Sequence, residues 1–420
     1  MTKEEKSWIL YDVANSAFVL IVVTTVMPIF FKDVVSKGIA SAVATANWGF
    51  ANSFASLILA LLAPILGTIA DYKFLKKKFF IVFLSIGISF TLLLTMVKEG
   101  QWLICLMIFV FARIGFAGAN LFYDSFLVDV TGKNRMDWVS SCGYAWGYLG
   151  GAIPFVAVII LIILGKSPGN ATAISTIAAK AGFFLVALWW LIFSIPIIKN
   201  VQQNHYIEPD EHIVRASFKR LFKTLKEIKN YRNAFLFLIA YFFYIDGVGT
   251  IITMATSYGR DIGLGVSMLI LSILMIQIVA FPFALLAGKL AGRFTAKNML
   301  YAGIGIYILI TLVSFFLPSM PSLQMKIFVF WILAFLIATA MGGVQALSRS
   351  FFGQLIPVER SAEFFGFYNI FGKFAAITGP FLMGVIGRMT GHTRYGILSI
   401  LILFIIGAIV LTRVETEKLT

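Results

Sequence analysis

The chain has 420 residues, of which 60% are hydrophobic and 13% are charged, a balance that excludes an ordinary soluble globular domain. A net charge of +15 could indicate a nucleic-acid-binding protein, but in so apolar a chain it fits better the Lys and Arg excess of cytoplasmic segments in membrane proteins. Two cysteines and three histidines supply neither a disulfide scaffold nor a metal site. We therefore expect a membrane protein with no catalytic residues, cofactor, metal or nucleic-acid partner.

Twelve apolar runs follow one another along the chain, in two sets of six. At ~1.5 Å per residue, a helix of 18 residues or more approaches the ~30 Å thickness of a hydrocarbon core. The pattern predicts an all-α polytopic membrane protein whose helices we number one to twelve. The runs cover residues 8–31, 43–70, 78–97, 101–126, 137–164, 180–198, 233–257, 265–287, 298–317, 325–347, 361–386 and 395–412.

Lysine and arginine counts orient the predicted helices. If the N-terminus is cytoplasmic, 23 of the 34 Lys and Arg residues fall in inside segments, 9 fall in outside loops and two lie within helices. Because Lys and Arg favour the cytoplasmic side, both termini and the central linker are predicted to be cytoplasmic. We expect a multi-pass protein of a bacterial inner (plasma) membrane.

The central polar stretch, residues 199–232, separates a half at 1–198 from a half at 233–420. From Glu211 to Arg232, apolar residues recur at helical spacing with Lys and Arg between them. This pattern predicts a basic amphipathic helix that lies on the anionic inner leaflet, so membrane lipids are expected partners. A regulatory, calmodulin-like binding role is the alternative.

An internal repeat relates the two halves. With an offset of 225, residues 118–126 at the end of helix four align with residues 343–351 at the end of helix ten. A second pair aligns residues 67–71 with residues 288–292. Matching sequence in two six-helix halves predicts a duplicated transporter fold with its substrate site near the bilayer midplane.

Several motifs resemble known transporter sequences. Residues 67–78 between helices two and three, and Arg113–Gly118 in helix four, resemble motifs of the major facilitator superfamily. Further motifs resemble the vacuole-effluxer-like branch of that superfamily, which includes autophagy-related exporters of amino acids from fungal vacuoles. They are Leu10–Phe18, Tyr144–Gly151, Asp246–Gly247 and Gly343–Ser350.

The resemblance implies a 6+6 pseudo-symmetric bundle that works by alternating access. It also implies a latch at Asp71, at the cytoplasmic end of helix two. Gly292 stands at the corresponding place in the second half, so we expect the latch on one side only.

Three ionisable residues are predicted near the bilayer centre: Arg113, Asp246 and Lys373. A charge there costs at least ~2.5–3.5 kcal/mol, so such residues normally face a bundle interior or a wet cavity. One interpretation is a set of static ion pairs between helices. The other is a net positive site in which Arg113 or Lys373 binds a carboxylate while Asp246 binds an ammonium group or the coupling proton.

Other polar and aromatic residues complete the predicted substrate site. In the superfamily, helices one, four, seven and ten line the cavity, which by resemblance places Arg113 and Asp246 there. Ordinary packing is the alternative for the aromatic residues of helix five. The further candidates are Asn15, Asn120, Tyr123, Trp146, Tyr244 and Gln345.

A second charged set lies toward the predicted cytoplasmic ends. Pseudo-symmetry relates Asp124 to Arg349, and we predict an ion pair between them, shared with Asp12, that closes the cytoplasmic side. Independent solvated charges are the alternative. Asp71 is predicted to pair or to cap a neighbouring helix in the same closed state, whereas the lysines that follow it need no explanation beyond the orientation bias.

The sequence thus predicts a secondary active transporter rather than an enzyme. Its expected substrate is a small carboxylate-bearing or zwitterionic solute, amino-acid-like, which a monomer exports with proton coupling. One alternative is a transporter of a lipid, peptide or drug-like amphiphile. Another is a membrane sensor or scaffold that keeps the fold without transport.

Overall fold

A computed structural model describes residues 1–164, 175–209, 212–226, 228–261 and 263–415. Across those ranges the regular structure is helical, and the β-type pairing is a single bridge between Tyr72 and Ile207.

Twelve helices in the described ranges are long and apolar enough to cross a membrane, as the sequence predicts. Six precede the linker and six follow it. Their bounds are Lys3–Val35, Val43–Ala70, Leu75–Met96, Trp102–Val130, Lys133–Leu164, Thr176–Asn200, Arg232–Ala255, Leu271–Phe294, Ala296–Ser319, Leu323–Leu355, Val358–Thr390 and Thr393–Thr412.

Several helices extend beyond their apolar runs. Helix four ends at Val130 and helix ten ends at Leu355, each several residues after its predicted end. Helix five begins at Lys133, several residues before its predicted start. Polar residues continue a helix when neighbouring chain segments satisfy them, and apolar periodicity cannot register such turns. These extra turns carry most of the polar contacts described below.

Helix one is not a uniform α-helix. It begins with a capping box in which the Thr2 hydroxyl accepts the Glu5 N–H while the Glu5 carboxylate accepts the Thr2 N–H. Residues Phe18–Thr25 and Phe31–Val35 are π-helical. The Thr25 hydroxyl donates to the Leu20 carbonyl, five residues back, at 2.6 Å. Sequence reasoning did not predict this wider winding.

The linker contains a helix at Ile213–Lys226, followed by a short 3₁₀ turn at Ile228–Tyr231. The predicted amphipathic helix is therefore present, with a shorter extent than 211–232. We call Ile213–Lys226 the linker helix.

The chain divides into two compact units that do not coincide with its two halves. Each unit gains a short segment from the other half, namely the start of helix eleven in unit 1 and the start of helix five in unit 2. Unit 1 comprises Met1–Val130, Trp146–Phe218 and Val358–Gly366; unit 2 comprises Thr131–Ala145, Lys219–Pro357 and Phe367–Thr420.

Aromatic residues fill the core of each unit. In unit 1, Trp8 stacks on Tyr123 with ring centroids 4.5 Å apart, and Phe18 stacks on Phe116 at 4.8 Å. In unit 2, Tyr241 stacks on Tyr368 at 4.3 Å. Such pairs contribute about 0.5–1.5 kcal/mol each beyond their area burial. They fix the helices that carry the candidate residues.

Candidate functional site

Arg113 lies within helix four of unit 1 and is half-buried. Its Nε is buried without a hydrogen-bond partner, and the described part of the chain gives its guanidinium no ion pair. A membrane-embedded guanidinium is costly unless something pairs with it. Arg113 therefore has unused donor capacity that suits a carboxylate, which a guanidinium can bind through two parallel hydrogen bonds.

Asp246 lies in helix seven of unit 2 and is fully buried. Its Oδ1 accepts the Gly379 N–H at 2.9 Å and the Thr250 hydroxyl at 3.4 Å. Its Oδ2 has no hydrogen-bond partner among the described residues. Asp246 thus has one carboxylate oxygen fixed by the protein and one available to a proton or a donor group.

The partner of Asp246 is the backbone of helix eleven beside a proline: Gly379, which donates the hydrogen bond, precedes Pro380 inside the helix. A proline inside a helix removes one backbone donor. An added Cβ at Gly379 would clash with the Thr250 hydroxyl oxygen, so a side chain there would push Thr250 and Asp246 away from helix eleven. Lys373 lies six residues before Gly379 on the same helix, in unit 2. The meeting of Arg113 with Asp246 and Lys373 stays a prediction.

The candidate lining residues of unit 1 lie on helices one, four and five. The Asn15 side-chain amide donates to the side-chain amide oxygen (Oδ1) of Asn120 at 3.1 Å, which joins helix one to helix four. Tyr123 is buried in the aromatic core against Trp8. Trp146 is 48% exposed, and its role in the substrate site stays a prediction.

The candidate lining residues of unit 2 lie on helices seven and ten. Tyr244 is fully buried, and its hydroxyl is 2.7 Å from the Ser348 hydroxyl. Gln345 is half-buried one turn before Ser348 on helix ten. A substrate can reach the Tyr244 hydroxyl only if the surrounding side chains move.

Asp71 caps the start of helix eleven within unit 1. The Asp71 carboxylate is fully buried and accepts the N–H groups of Ala362 and Glu363 at 2.8 and 3.1 Å. These amides are among those that a helix N-terminus leaves without an internal acceptor, and the helix dipole favours a negative charge there. The capping contact predicted for Asp71 is present, whereas its gating role stays a prediction.

Lys76 forms a buried ion pair beside this cap. Its Nζ lies 2.7 Å from Asp129 Oδ2 and donates to the Ser361 hydroxyl at 2.8 Å. The side chains of Lys76 and Asp129 are both fully buried. The prediction that orientation bias alone explains this lysine is wrong, because the end of helix four supplies a buried carboxylate that a residue count cannot register. We call Asp71, Lys76, Asp129 and Ser361 the helix-eleven cluster.

The first residues of the linker, Val201–Glu208, form a strap across the helix-eleven cluster. Asp129 Oδ1 accepts the N–H groups of Asn204 and His205, each at 2.8 Å, and lies 3.3 Å from His205 Nδ1. The contact with the Asp129 carboxylate raises the pKa of His205 above its ordinary value. Asp129 therefore joins the strap to Lys76.

Backbone hydrogen bonds also join the strap to the turn after helix two. The Ile207 N–H donates to the Asp71 carbonyl at 2.9 Å, and the Lys73 N–H donates to the Ile207 carbonyl at 3.1 Å. The Gln203 amide donates to the Ala70 carbonyl at 3.1 Å. The backbone that positions Asp71 is thus held from the linker side.

The start of helix five is held in unit 2 by a different set of contacts. Arg349 donates from Nε to the Ser140 hydroxyl at 3.0 Å and from Nη2 to the Ser140 carbonyl at 3.1 Å. Its guanidinium lies 4.4 Å from the centre of the Tyr144 ring. Asp137 accepts hydrogen bonds from the Ser350 hydroxyl and the Gln354 amide. We call Asp137, Ser140, Tyr144, Arg349, Ser350 and Gln354 the helix-five cluster.

The repeated glycines Gly67 and Gly288 occupy corresponding places beside these helix starts. A Cβ at Gly67 would lie 2.2 Å from the Ala362 carbonyl oxygen, and one at Gly288 would lie 2.5 Å from Ser141 Cβ. Each glycine allows close approach of the helix start exchanged into its unit. The repeat found in the sequence therefore marks two equivalent packing contacts.

Of the remaining predicted gate residues, Asp12 and Asp124 lie in unit 1 and Arg349 lies in unit 2. Asp12 and Arg349 are buried, and Asp124 is half-buried. The ion pair between Asp124 and Arg349 stays a prediction.

Sequence reasoning missed most of the polar partners of the two clusters. The sequence carries a signal for one of them. Asp129 lies between two valines at the end of helix four, and these apolar neighbours indicate a buried carboxylate rather than a solvated one. The other partners resemble ordinary helix-end residues. The missed residues are Asp129, Asp137, Ser140, His205 and Ser361.

Structures with a similar fold are transporters of the major facilitator superfamily. A structure of the proton:xylose symporter XylE aligns over 98% of this chain and 95% of that chain, with a TM-score of 0.71 and 12% identity. The transporter FucP in its outward conformation aligns over 99% of this chain and 98% of that chain, with a TM-score of 0.72 and 14% identity. The fold is therefore that of the superfamily, as the sequence motifs predicted.

The chain belongs to the vacuole effluxer Atg22-like family, whose model matches residues 1–420. It is 49% identical over 420 residues to YxiO of Bacillus subtilis (strain 168), described as an uncharacterized MFS-type transporter, and covers 96% of that protein. It is 27% identical over 305 residues to autophagy-related protein 22-1 of Aspergillus fumigatus, a match that covers 67% of this chain and 48% of the fungal protein. The protein is thus an MFS-type transporter by family.

Proposed function

We propose that the protein is a proton-coupled secondary transporter that exports a small carboxylate-bearing or zwitterionic solute, amino-acid-like, by alternating access. The observation that carries the proposal is the unfilled bonding capacity of two opposite charges: Arg113 has a buried Nε and Asp246 a buried Oδ2, each without a hydrogen-bond partner among the described residues. The efflux direction draws on the family description, which names vacuole effluxers.

Arg113 is the proposed carboxylate-binding residue. Static pairing would leave no capacity for a solute, and within its unit the described residues offer Arg113 no ion pair. Lys373 supplies a second positive charge, although an ammonium group cannot form the two parallel bonds that a guanidinium forms. The neutral candidates would then contact the rest of the solute.

Asp246 is the proposed proton-coupling residue, and it can alternatively bind the ammonium group of a zwitterion. One of its oxygens is held by Gly379 and Thr250, while the other is buried without a partner. The open oxygen can accept a proton or a hydrogen bond from the ammonium group of a solute. Its hydrogen bond from Gly379, next to Pro380, connects proton binding at Asp246 to helix eleven.

The helix-eleven cluster and the residues Asp12, Asp124 and Arg349 are the proposed gate. Asp71 and Lys76 bind the start of helix eleven by contacts that can break and reform when that helix moves. The proposal places both termini and the linker in the cytoplasm of a bacterial cell, because Lys and Arg are concentrated in those segments. We propose that the transporter works as a monomer.

The test is transport by the purified protein in proteoliposomes, across a panel of amino acids and other small carboxylates, with and without a pH gradient. Asp246→Asn is expected to abolish pH-driven accumulation while exchange of solute across the membrane continues. Arg113→Lys keeps the charge but loses the two-bond geometry, so its apparent affinity for carboxylates is expected to fall about ten-fold or more.

Two outcomes would contradict this proposal. Accumulation by Asp246→Asn at the wild-type level would exclude the coupling role. Transport of lipids, peptides or amphiphiles, with no response to small carboxylates, would favour the amphiphile alternative. The sensor or scaffold alternative requires Arg113 and Asp246 to be permanently paired.

A further inference from the structure

We propose that the linker helix, Ile213–Lys226, is a docking surface for the anionic phospholipid headgroups of the membrane. The sequence pattern predicts a basic amphipathic helix on the anionic inner leaflet. The structure adds which of its faces stays exposed and how its two ends are tied.

The apolar stripe of the linker helix stays exposed. Val214, Phe218 and Phe222 recur every four residues along one face, with 58%, 40% and 67% of their surface exposed. The neighbouring face, which carries Ser217 and Leu221, is buried. The helix therefore packs through one face while its large apolar side chains remain available for another medium.

A basic stripe runs beside the apolar one. Arg215, Lys219, Lys223 and Lys226 are all exposed, and none makes an ion pair with a described residue. No Asp or Glu occurs between His212 and Lys226. Apolar and uncompensated basic stripes side by side match the boundary between acyl chains and anionic headgroups.

Both ends of the linker helix are tied close to the ends of membrane-spanning helices. The strap before it ends at Glu208, whose carboxylate lies 3.7 Å from Lys73 Nζ in the turn between helices two and three. Helix seven begins at Arg232, six residues after Lys226. Because an extended chain gains at most ~3.6 Å per residue, each end of the linker helix stays within about 20 Å of its own anchor.

The anchors favour a membrane over an acidic protein as the occupant. A protein that wraps around an amphipathic helix needs access to all sides, and this helix has a buried face and two short tethers. A membrane surface needs only the exposed face. Binding of an acidic protein is accordingly a competing outcome of the test.

The test uses the full-length protein with Cys105 and Cys142 replaced by Ala, both of which are buried. Phe222→Cys carries a polarity-sensitive fluorophore, and the protein is placed in nanodiscs of phosphatidylcholine alone or with added phosphatidylglycerol. Phosphatidylglycerol is expected to shift the emission to the blue. High salt is expected to reverse the shift, because the Debye length falls from ~10 Å at 0.1 M to ~3 Å at 1 M. The same label at the exposed Gln324 is the control and should not respond.

A charge variant tests the basic stripe separately. Lys219→Gln with Lys223→Gln is expected to lower the ratio of membrane-bound to unbound linker helix about thirty-fold in phosphatidylglycerol discs, from ~1 kcal/mol per basic residue. Lys78→Gln, an exposed lysine outside the linker helix, should change the ratio far less. Unchanged melting temperature of the double variant establishes that it is folded.

An emission spectrum that is the same in both disc types would overturn the proposal. So would a shift that appears only when an acidic protein is added. None of these readouts needs a substrate, so the result is independent of whether the proposed transport reaction is right.

Discussion

The starts of helix eleven and helix five occupy corresponding places in the internal repeat, yet different chemistry holds them. In unit 1, the start of helix eleven is bound by the charged cap of Asp71 and by the buried pair of Lys76 with Asp129. In unit 2, the start of helix five is bound through Ser140, whose hydroxyl and carbonyl accept from Arg349. Both halves of the repeat have the close glycine contact, whereas among the described residues only the start of helix eleven is held by a carboxylate cap and a buried ion pair.

The difference shows which parts of a duplicated fold are interchangeable. Close backbone approach depends only on a missing Cβ, and Gly67 and Gly288 both provide it. A buried ion pair depends on both partners, because removing one leaves a charge in the interior without compensation. Removing one hydrogen bond to serine costs less stability than removing one partner of a buried ion pair, because the other hydrogen bonds remain. The helix-eleven start should therefore be the more fragile of the two.

Lys76→Met is expected to have the largest effect, because it leaves the buried Asp129 carboxylate without its cation. Breaking a buried pair in this way costs about 3–5 kcal/mol. The N–H groups of Asn204 and His205 still reach Asp129, which favours the lower end. Thermal unfolding in detergent measures the loss, and Lys78→Met is the matched control because Lys78 is exposed. Adding Asp129→Asn should recover part of the stability; no recovery would mean that the pair is not the cause.

Asp71→Asn comes next, since it removes the charge of the cap but keeps one acceptor. Hydrogen bonds to a charged group contribute about 1.5–3 kcal/mol, so the amides of Ala362 and Glu363 should exchange with deuterium roughly ten- to a hundred-fold faster. The comparison becomes sharper with Gly292→Asp, at a position with open space around its Cα. This variant should leave amide exchange at the start of helix five unchanged. Added protection there would show that the asymmetry rests on Gly292 alone.

Ser140→Ala is expected to have a moderate effect on the start of helix five. It removes the hydroxyl that accepts from Arg349 Nε and donates to the Ala346 carbonyl, while the hydrogen bond from Arg349 Nη2 to the Ser140 carbonyl and the Tyr144 ring contact remain. The expected loss is about 1–2 kcal/mol, less than for Lys76→Met. Thermal unfolding in the same detergent gives the ranking directly. A loss as large as that of Lys76→Met would remove the contrast between the two clusters.

His205 should give the smallest and most specific effect, a dependence on pH. Its pKa is raised through Asp129, so its stabilisation is complete below ~6.5 and disappears as pH rises through the raised value. His205→Gln should therefore lower the melting temperature at acid pH and match the wild type at alkaline pH. The effect is small because the side chain is partly exposed and solvent screens it. His392→Gln, in an exposed turn, is the control; a difference constant with pH would indicate a packing role only.

Apolar periodicity predicted the twelve helices because membrane burial imposes a length and a composition on every spanning segment. The capping role of Asp71 was also predictable, since a carboxylate at a helix end needs a donor and helix N-termini supply donors. The glycine repeat was visible in the sequence, although its packing partners were not.

The partners of the two clusters could not be predicted in the same way. Lys76 pairs with Asp129, 53 positions away in the chain, and donates to Ser361, 285 positions away. No local sequence pattern specifies such contacts. The strap was hidden for a different reason. Val201–Glu208 has no periodic pattern, so its sequence predicts an unstructured connection. Its order comes from hydrogen bonds to Asp129 and to the turn after helix two.

The strap also has a consequence for chain connectivity. The hydrogen bonds of Gln203 to Ile207 all lead back to residues that precede the strap in the chain, so residues 1–208 contain both sides of the contact. A chain divided between Glu208 and Ile213 would leave the strap with the fragment that binds it. A chain divided before Val201 would instead place the strap at the N-terminus of the second fragment. The strap would then be attached to the first fragment only through its hydrogen bonds.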